Sequence, residues 1–500
     1  MAVEPKLSKS QFIRGLQCPK SLWLYRFKKE LAPEIDSQKQ ALFDTGHDIG
    51  ELAKEYFGGG VEVTESYKDI KGAVATTQKL IADGHEIIFE ATAVHPVDGS
   101  YSRIDILKKV SGTDEWDLIE VKSSTSVKDY HIDDMSFQYH VFYNAGFRIR
   151  ACYMMVIDNA YVRHGAIDPM KILKLEDISP LVFSKQGEVE YVAGQLGYVL
   201  DRKDQPDIII GSRCFAPFDC DYKDHCWKAA AVPEYSVFNV FNKAKAEEIA
   251  KRHSTYDLKK LAADILPKGN KGIDVASFLS GNVHLQPDLI RTFIQGLHYP
   301  LYFLDYETLM PAIPLFDGTR PFQQIPFQFS VHIQDCHGGE LVHREYLHKQ
   351  KTDPRPDLAR NLIDACGQDG TVIVYNQAFE MARNNELTQE FPQYAAALTA
   401  INSRMVDLLV PFRSRWAYHP KQNGSASIKA VLPAFTDLTY AGMEIDNGGE
   451  ASLKYLMFMH DKLSDDECES LWKNLDAYCG QDTYAMKVLL DVLQKTVQEA

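Results

Sequence analysis

Two short apolar strands constrain this chain most, because each carries charged groups on a single face. In WDLIEVKSS the two-residue period of a strand puts Leu118, Glu120 and Lys122 on one side and Ile119 and Val121 on the other. In LYFLDYETL, Asp305 and Glu307 share a face and are flanked by apolar residues that would anchor the strand in a sheet. Neighbouring carboxylates repel, and burying them without a counter-charge is costly, so such strands call for a cation. Hard Mg²⁺ or Mn²⁺ prefers carboxylate oxygen, and one or two such ions are what phosphodiester hydrolysis needs.

Each pair has company in the sequence. Asp105, in RIDIL, precedes Glu120 by fifteen residues, which suits two adjacent antiparallel strands joined by the polar turn SGTDEWD. Glu90 lies upstream in IIFEATAV, and Gln138 downstream in SFQYHVFYNAG. In the second half, VIVYNQAFEMA ends a strand and opens a helix, with Asn376 and Glu380 four apart. Tyr478 and Asp482 have the same spacing on a long amphipathic helix near the end. Together Asp305, Glu307, Glu380 and Asp482 could bind two cations about 3.5 to 4 Å apart.

The nine cysteines fall into two sets. Cys152, Cys336, Cys366, Cys468 and Cys479 are scattered singly and read as small hydrophobes. Cys214, Cys220 and Cys226 sit at regular spacing in a segment too polar for a core, and Cys18 in LQCPKSLWLY supplies a fourth thiolate. Four thiolates fit either a tetrahedral zinc or a 4Fe–4S cluster, and spacing alone does not choose.

The start, MAVEPKLSKSQF, shows no apolar run, and no stretch is apolar enough to span a membrane, so a cytoplasmic enzyme with reduced thiols is expected. A net charge of -15 argues against a protein that coats nucleic acid nonspecifically, although residues 1–30 hold seven Lys or Arg that would help a strand enter. Trp23, Tyr25, Trp416 and Tyr418 could stack on bases or pack in a core. Hydrophobic residues make up 45% of 500, enough for several cores. The patterning predicts an α/β multidomain chain: an α/β unit over 1–232, a helical connector over 233–297, and a unit over 298–500 that opens with antiparallel strands.

The order Glu90, Asp105, Glu120-x-Lys122 and Gln138 closely resembles the PD-(D/E)XK nucleases of the RecB-like branch, with a restriction-endonuclease-like core. That resemblance implies Glu90, Asp105 and Glu120 as metal ligands, Lys122 as the catalytic lysine, and Gln138 as the start of a Gln-x-x-x-Tyr helix in which Phe142 takes the Tyr position. The family's helical His is replaced by Gly50, with His47 and Glu51 nearby. One cysteine before the core and three after it, in a CPKSLWLY context, is similar to the iron–sulfur nucleases of CRISPR adaptation and of the AddB type. It implies a 4Fe–4S cluster on Cys18, Cys214, Cys220 and Cys226, with structural Zn²⁺ as the alternative.

Residues 298 to 495 resemble the DEDD exonucleases of the DnaQ-like class, with a ribonuclease H-like fold. Here Asp305, Glu307 and Asp482 correspond to metal ligands, Tyr478 to the water-orienting residue, and Glu380 to a position usually held by Asp. The resemblance implies a fusion of two nuclease modules acting with Mg²⁺ or Mn²⁺ on single-stranded nucleic acid ends, DNA before RNA. The alternatives are a nucleic-acid-binding scaffold with one or both sites degenerate, or an RNA-processing nuclease.

Overall fold

The computed structural model describes residues 3–34 and 36–499. The chain is mixed α/β and divides into two compact units, Met1–Val232 and Pro233–Ala500. Among the described residues no helix is long and apolar enough to cross a membrane.

In the first unit, strands β1 (Leu7–Ser8), β2 (Val61–Glu62), β3 (Ile87–Val94), β4 (Ser100–Lys109), β5 (Glu115–Lys122), β6 (Arg148–Ile157) and β7 (Leu173–Asp177) form one sheet. Its order is β2-β3-β4-β5-β6-β7, with β1 parallel to β4. β3, β4 and β5 are antiparallel neighbours, whereas β5 and β6 run parallel and are joined by the helix Asp129–Asn144. Such a crossover needs a helix because a parallel strand must start again at the same end of the sheet. Leu118 and Trp116 on β5 pack into one core with Phe137 and Val141 of that helix. Glu120 and Lys122 share their strand parity and therefore face the same helix.

In the second unit, β9 (Leu301–Leu309), β10 (Ile325–Gln334), β11 (Leu341–Leu347), β12 (Thr371–Val374) and β13 (Met405–Asp407) form a sheet ordered β11-β10-β9-β12-β13. β9, β10 and β11 are antiparallel, and β12 and β13 run parallel to β9. The two faces of β9 feed two cores. Leu301, Phe303 and Leu309 pack with Tyr478, Met486 and Leu489 of the terminal helix Asp465–Glu499, while Tyr302, Leu304 and Tyr306 pack on the other side. Asp305 and Glu307 share parity with the first set, so they face the terminal helix.

The segment 233–297 does not stand apart as a connector; it falls inside the second unit. Its strand β8 (His284–Leu285) pairs with β14 (Ala417–Tyr418), and Asp274 of helix Asn270–Ser280 forms a buried bidentate pair with Arg415 at 2.5 and 3.0 Å. Polar helical composition gave the segment its connector look, but the apolar face of helix Pro287–Gln295 packs Ile290, Phe293 and Ile294 into the core shared with the terminal helix. Asp274 is fully buried, so Asp274→Ala strands the guanidinium without a counter-charge. The expected cost is about 3–5 kcal/mol, read as a shift in the urea midpoint of the second unit.

Candidate functional site

The strand registers place Glu90, Asp105 and Glu120 in one row. β3 and β4 pair Phe89 with Ile106 and Ala91 with Ile104, which sets Glu90 opposite Asp105; β4 and β5 pair Ile106 with Ile119, which sets Asp105 opposite Glu120. Residues directly opposite in antiparallel strands point the same way with Cβ atoms about 5 Å apart. The ladder is irregular at this level. Glu90 has φ 57, the left-handed region that a strand glutamate rarely adopts, and Asp105 Oδ2 accepts the Val121 N–H at 2.7 Å. A cleft of about 300 Å³ opens there, lined by Glu90, Asp105, Glu120, Lys122, His47 and Glu51 among others.

The electrostatics follow from this crowding. Burial and then the Glu120 charge push the Asp105 carboxyl up to about 7. Burial also opposes ionisation of Glu120, but the Lys122 and Lys9 ammonium groups outweigh it and hold Glu120 well below the carboxylate range. Lys122 Nζ donates to Glu120 Oε1 and to Asp134 Oδ2, both at 2.7 Å. Burial works against its charge, yet Asp134, Glu120 and Asp105 keep it protonated well above the ordinary lysine range. In the metal-free protein Lys122 is therefore cationic. Gln138 Nε2 donates to Glu120 Oε2 at 2.7 Å and its Oε1 accepts from Ser102 Oγ at 3.0 Å, so it orients the carboxylate. Phe142 is fully buried in the core, away from that role.

Two members of the site were not singled out from sequence. Lys9 Nζ lies 2.5 Å from Glu120 Oε1, brought in by a helix (Lys9–Gln17) that Ser8 caps. Asp134 lies one helical turn before Gln138, a four-residue spacing that could have drawn attention to it. His47 and Glu51, which sequence alone leaves between substitutes for the missing His and plain helix-surface residues, line the cleft. Part of the basic N-terminal stretch is engaged within the unit: Lys9 on Glu120, Arg14 on Asp221 at 2.6 Å and Lys6 on Asp201 at 2.5 Å.

The four cysteines converge. Cys18, Cys214, Cys220 and Cys226 line one small cavity with Lys20, Ser21 and Tyr222, and none forms a disulfide. Burial first, then the neighbouring thiols, pushes Cys214 up to about 11; Cys18 and Cys226 are raised mainly by burial. A tetrahedral zinc with Zn–S near 2.3 Å holds its sulfurs about 3.8 Å apart. Among the described residues, the groups with three donor atoms mutually within 4.8 Å do not include these thiols.

In the second unit a cleft of about 390 Å³ is lined by Asp305, Glu307, Lys429, Tyr478 and Asp482, with Gly448 and Gly449 at its rim. Burial pushes Asp305 well above the carboxylate range, reinforced by Asp482, Glu307 and Glu380. Glu307 is raised by burial and by Asp482, and Asp482 is raised to about 6 by burial. Two tyrosines flank Asp482: Tyr440 donates to Oδ1 at 2.5 Å, and the Tyr478 hydroxyl bonds the same carboxylate. Lys429 lies 5.0 Å from the Tyr478 ring centre and donates to the Asp446 carbonyl.

Glu380 behaves differently. It is buried beside the cleft, not among its lining residues, with Oε2 unpartnered, and burial then Asp407 push it up to about 8. Asn376 is a left-handed N-cap at φ 106, not a helical partner of Glu380; its N–H donates to Asp407 Oδ1 at 3.1 Å. Asp407 also accepts from Leu409 N at 2.9 Å, so it caps the following turn. Tyr440 went unnoticed in sequence. Cys479 is buried as its surroundings predict, yet its Sγ sits within 4.8 Å of carboxylate oxygens of Asp305 and Glu307. Trp23 and Tyr418 are buried, and Tyr25 and Trp416 pack half-buried against the hydrophobic cores.

Comparison with known proteins adds family information for one stretch. Residues 302–427 match the family described as "Domain of unknown function (DUF2779)", a stretch that contains Asp305, Glu307 and Glu380 and ends before Tyr478 and Asp482. The chain is 24% identical over 275 residues, 49% of its length, to uncharacterized protein UU173 of Ureaplasma parvum serovar 3. It is 26% identical over 212 residues, 38% of its length, to the uncharacterized protein MG366 homolog of Mycoplasma pneumoniae. The matches span 39% and 32% of those proteins, so the chain covers well under half of either relative and shares with them a partial, distant similarity.

Proposed function

We propose that this chain is a metal-dependent nuclease with two catalytic centres, the first of the PD-(D/E)XK, RecB-like type and the second of the DEDD type on a ribonuclease H-like fold. The observation that carries the reading is the convergence of buried acids, Asp305, Glu307 and Asp482, with the Tyr478 hydroxyl at one cleft. Carboxylates raised by mutual repulsion and burial make a poor empty site and a good cation site. The row of Glu90, Asp105 and Glu120 beside a cationic Lys122 supports the same chemistry in the first unit.

Bound Mg²⁺ or Mn²⁺ supplies a Lewis acid for the phosphate and a water of lowered pKa. Glu90, Asp105 and Glu120 would hold the ion in the first centre, and Asp305, Glu307 and Asp482 in the second. Lys122 holds the attacking water and faces the charge that develops on phosphate. Gln138 keeps Glu120 aimed at the cleft, and Tyr478 orients the water of the second centre. Cys18, Cys214, Cys220 and Cys226 would hold a 4Fe–4S cluster that joins the two ends of the first unit, closing a loop of nearly two hundred residues. A groove of about 690 Å³ runs from Lys9 and Lys122 past Tyr130, Phe43 and Phe218 to Cys220. Exposed Phe43 and Phe218 beside Lys9, Arg14, Lys39 and Lys122, with Asp134, Asp219 and Asp221 interleaved, suit an unpaired strand whose bases can stack.

A second reading, a nucleic-acid-binding protein whose second centre is degenerate, is favoured by one observation: Glu380 lies outside the cleft lining. Incubation of anaerobically purified protein with Mn²⁺ and 5′- or 3′-labelled single-stranded DNA or RNA separates the two. Nuclease function predicts shortened products with Mn²⁺, faster on DNA than on RNA, and none in EDTA. Binding without cleavage on every substrate would replace the nuclease reading with the second. Iron and acid-labile sulfide content on the same sample distinguishes the cluster from zinc.

A further inference from the structure

We infer that His95, Asp98 and His140 form a binding site for a divalent transition-metal ion of the Zn²⁺ class, separate from both candidate centres and from the four cysteines. His95 directly follows β3, Asp98 lies in the turn to β4, and His140 projects from helix Asp129–Asn144. One donor atom from each, two imidazole nitrogens and a carboxylate oxygen, all lie within 4.8 Å of one another. Imidazole with one carboxylate suits zinc and its neighbours rather than Mg²⁺. At about 3.3 Å per strand residue, His95 is roughly 16 Å along β3 from Glu90, too far to share its ion.

The hydrogen bonding of the three side chains points to a cation. His95 Nδ1 accepts the N–H groups of Val97 and Asp98 at 3.3 and 3.2 Å, two long contacts that an ion at the same nitrogen would displace. The same nitrogen lies 3.1 Å from Asp98 Oδ1. Two donors each about 2.1 Å from a tetrahedral ion lie roughly 3.4 Å apart, close to this separation. Independently, His140 is 5% exposed and its Nε2 is buried without a hydrogen-bond partner, 3.9 Å from Asp98 Oδ2. A buried imidazole nitrogen left unpaired is a group that needs a ligand. The two rings stack at 4.9 Å. Asp98 is exposed, which leaves an entry path from solvent.

Occupancy would tie the β3–β4 turn to the helix that carries Asp134 and Gln138, and through Gln138 would steady Glu120. The test is zinc stoichiometry by equilibrium dialysis of the full chain after EDTA treatment, with thermal unfolding in parallel. Asp98→Asn keeps the turn contact to the Ser100 N–H at 2.7 Å while removing the charge, so it should fold like wild type. Both Asp98→Asn and His140→Ala are expected to bind one zinc fewer than wild type, or to bind it at least tenfold more weakly, and to lose part of the zinc-dependent rise in unfolding temperature. Zinc held by the cysteines is common to all three proteins and cancels in the comparison. Equal, equally tight zinc binding by wild type and Asp98→Asn would overturn the site.

Discussion

Asp305→Asn should abolish cleavage at the second centre by at least about 10³-fold and, in EDTA, raise the unfolding temperature of the same protein. The two effects come from one cause. Asp305 is buried against Asp482, Glu307 and Glu380, which push its carboxyl far above the usual range. Asparagine keeps the shape and removes the repulsion, so the metal-free fold gains while the ion loses a central ligand. Activity is measured with Lys122→Ala as background so that products come from the second centre alone, and stability by thermal unfolding without metal. Retained cleavage would remove Asp305 from the metal site, and a lowered unfolding temperature would show that its charge is balanced in the metal-free protein.

Stabilisation by Mn²⁺ should grow with pH. The relevant acids have raised folded-state values: Asp105 about 7 and Asp482 about 6, with Asp305 and Glu307 also raised well above the carboxylate range. An unfolded chain ionises such groups near pH 4, whereas the folded chain keeps their protons until about pH 6 to 7 or higher. The unfolded state therefore binds fewer protons through that window, and the metal-free protein loses stability as pH rises from about 4 to 8. Below pH 4 all are protonated in both states and the penalty vanishes. A divalent ion favours the ionised form, so it must displace protons at pH 5 but not at pH 8. At a hundred times its dissociation constant one ion contributes about 2.7 kcal/mol, or roughly 5–10 °C for a unit of this size. Most of that rise is expected at pH 8 and little at pH 5. An increment independent of pH would mean that the ion binds elsewhere.

Much of both centres was legible because local periodicity carries it. Glu120 and Lys122 on one strand face, Asp305 and Glu307 on another, and Tyr478 with Asp482 four apart on a helix are all consequences of period two or of the helical turn. The fifteen-residue gap between Asp105 and Glu120 matches a strand, a turn and a strand, and β4 and β5 are antiparallel neighbours. What stayed hidden depends on tertiary approach. Lys9 reads as one of seven cations near the start, and only the pairing of β1 with β4 and the Ser8 cap bring its ammonium onto Glu120. Tyr440 reaches Asp482 from a segment without regular structure, and Cys479 reads as core although it touches the acid cluster. Glu380 shows the converse: the spacing from Asn376 looked helical, but Asn376 is a left-handed cap and Glu380 turns inward.

The most direct test of two independent centres is Mn²⁺-dependent degradation of end-labelled single-stranded DNA by wild type, Lys122→Ala, Asp305→Ala and the double variant. Two working nucleases require that each single variant lose a different subset of products and that the double variant lose all of them. Undiminished cleavage by the double variant would contradict the assignment of both centres.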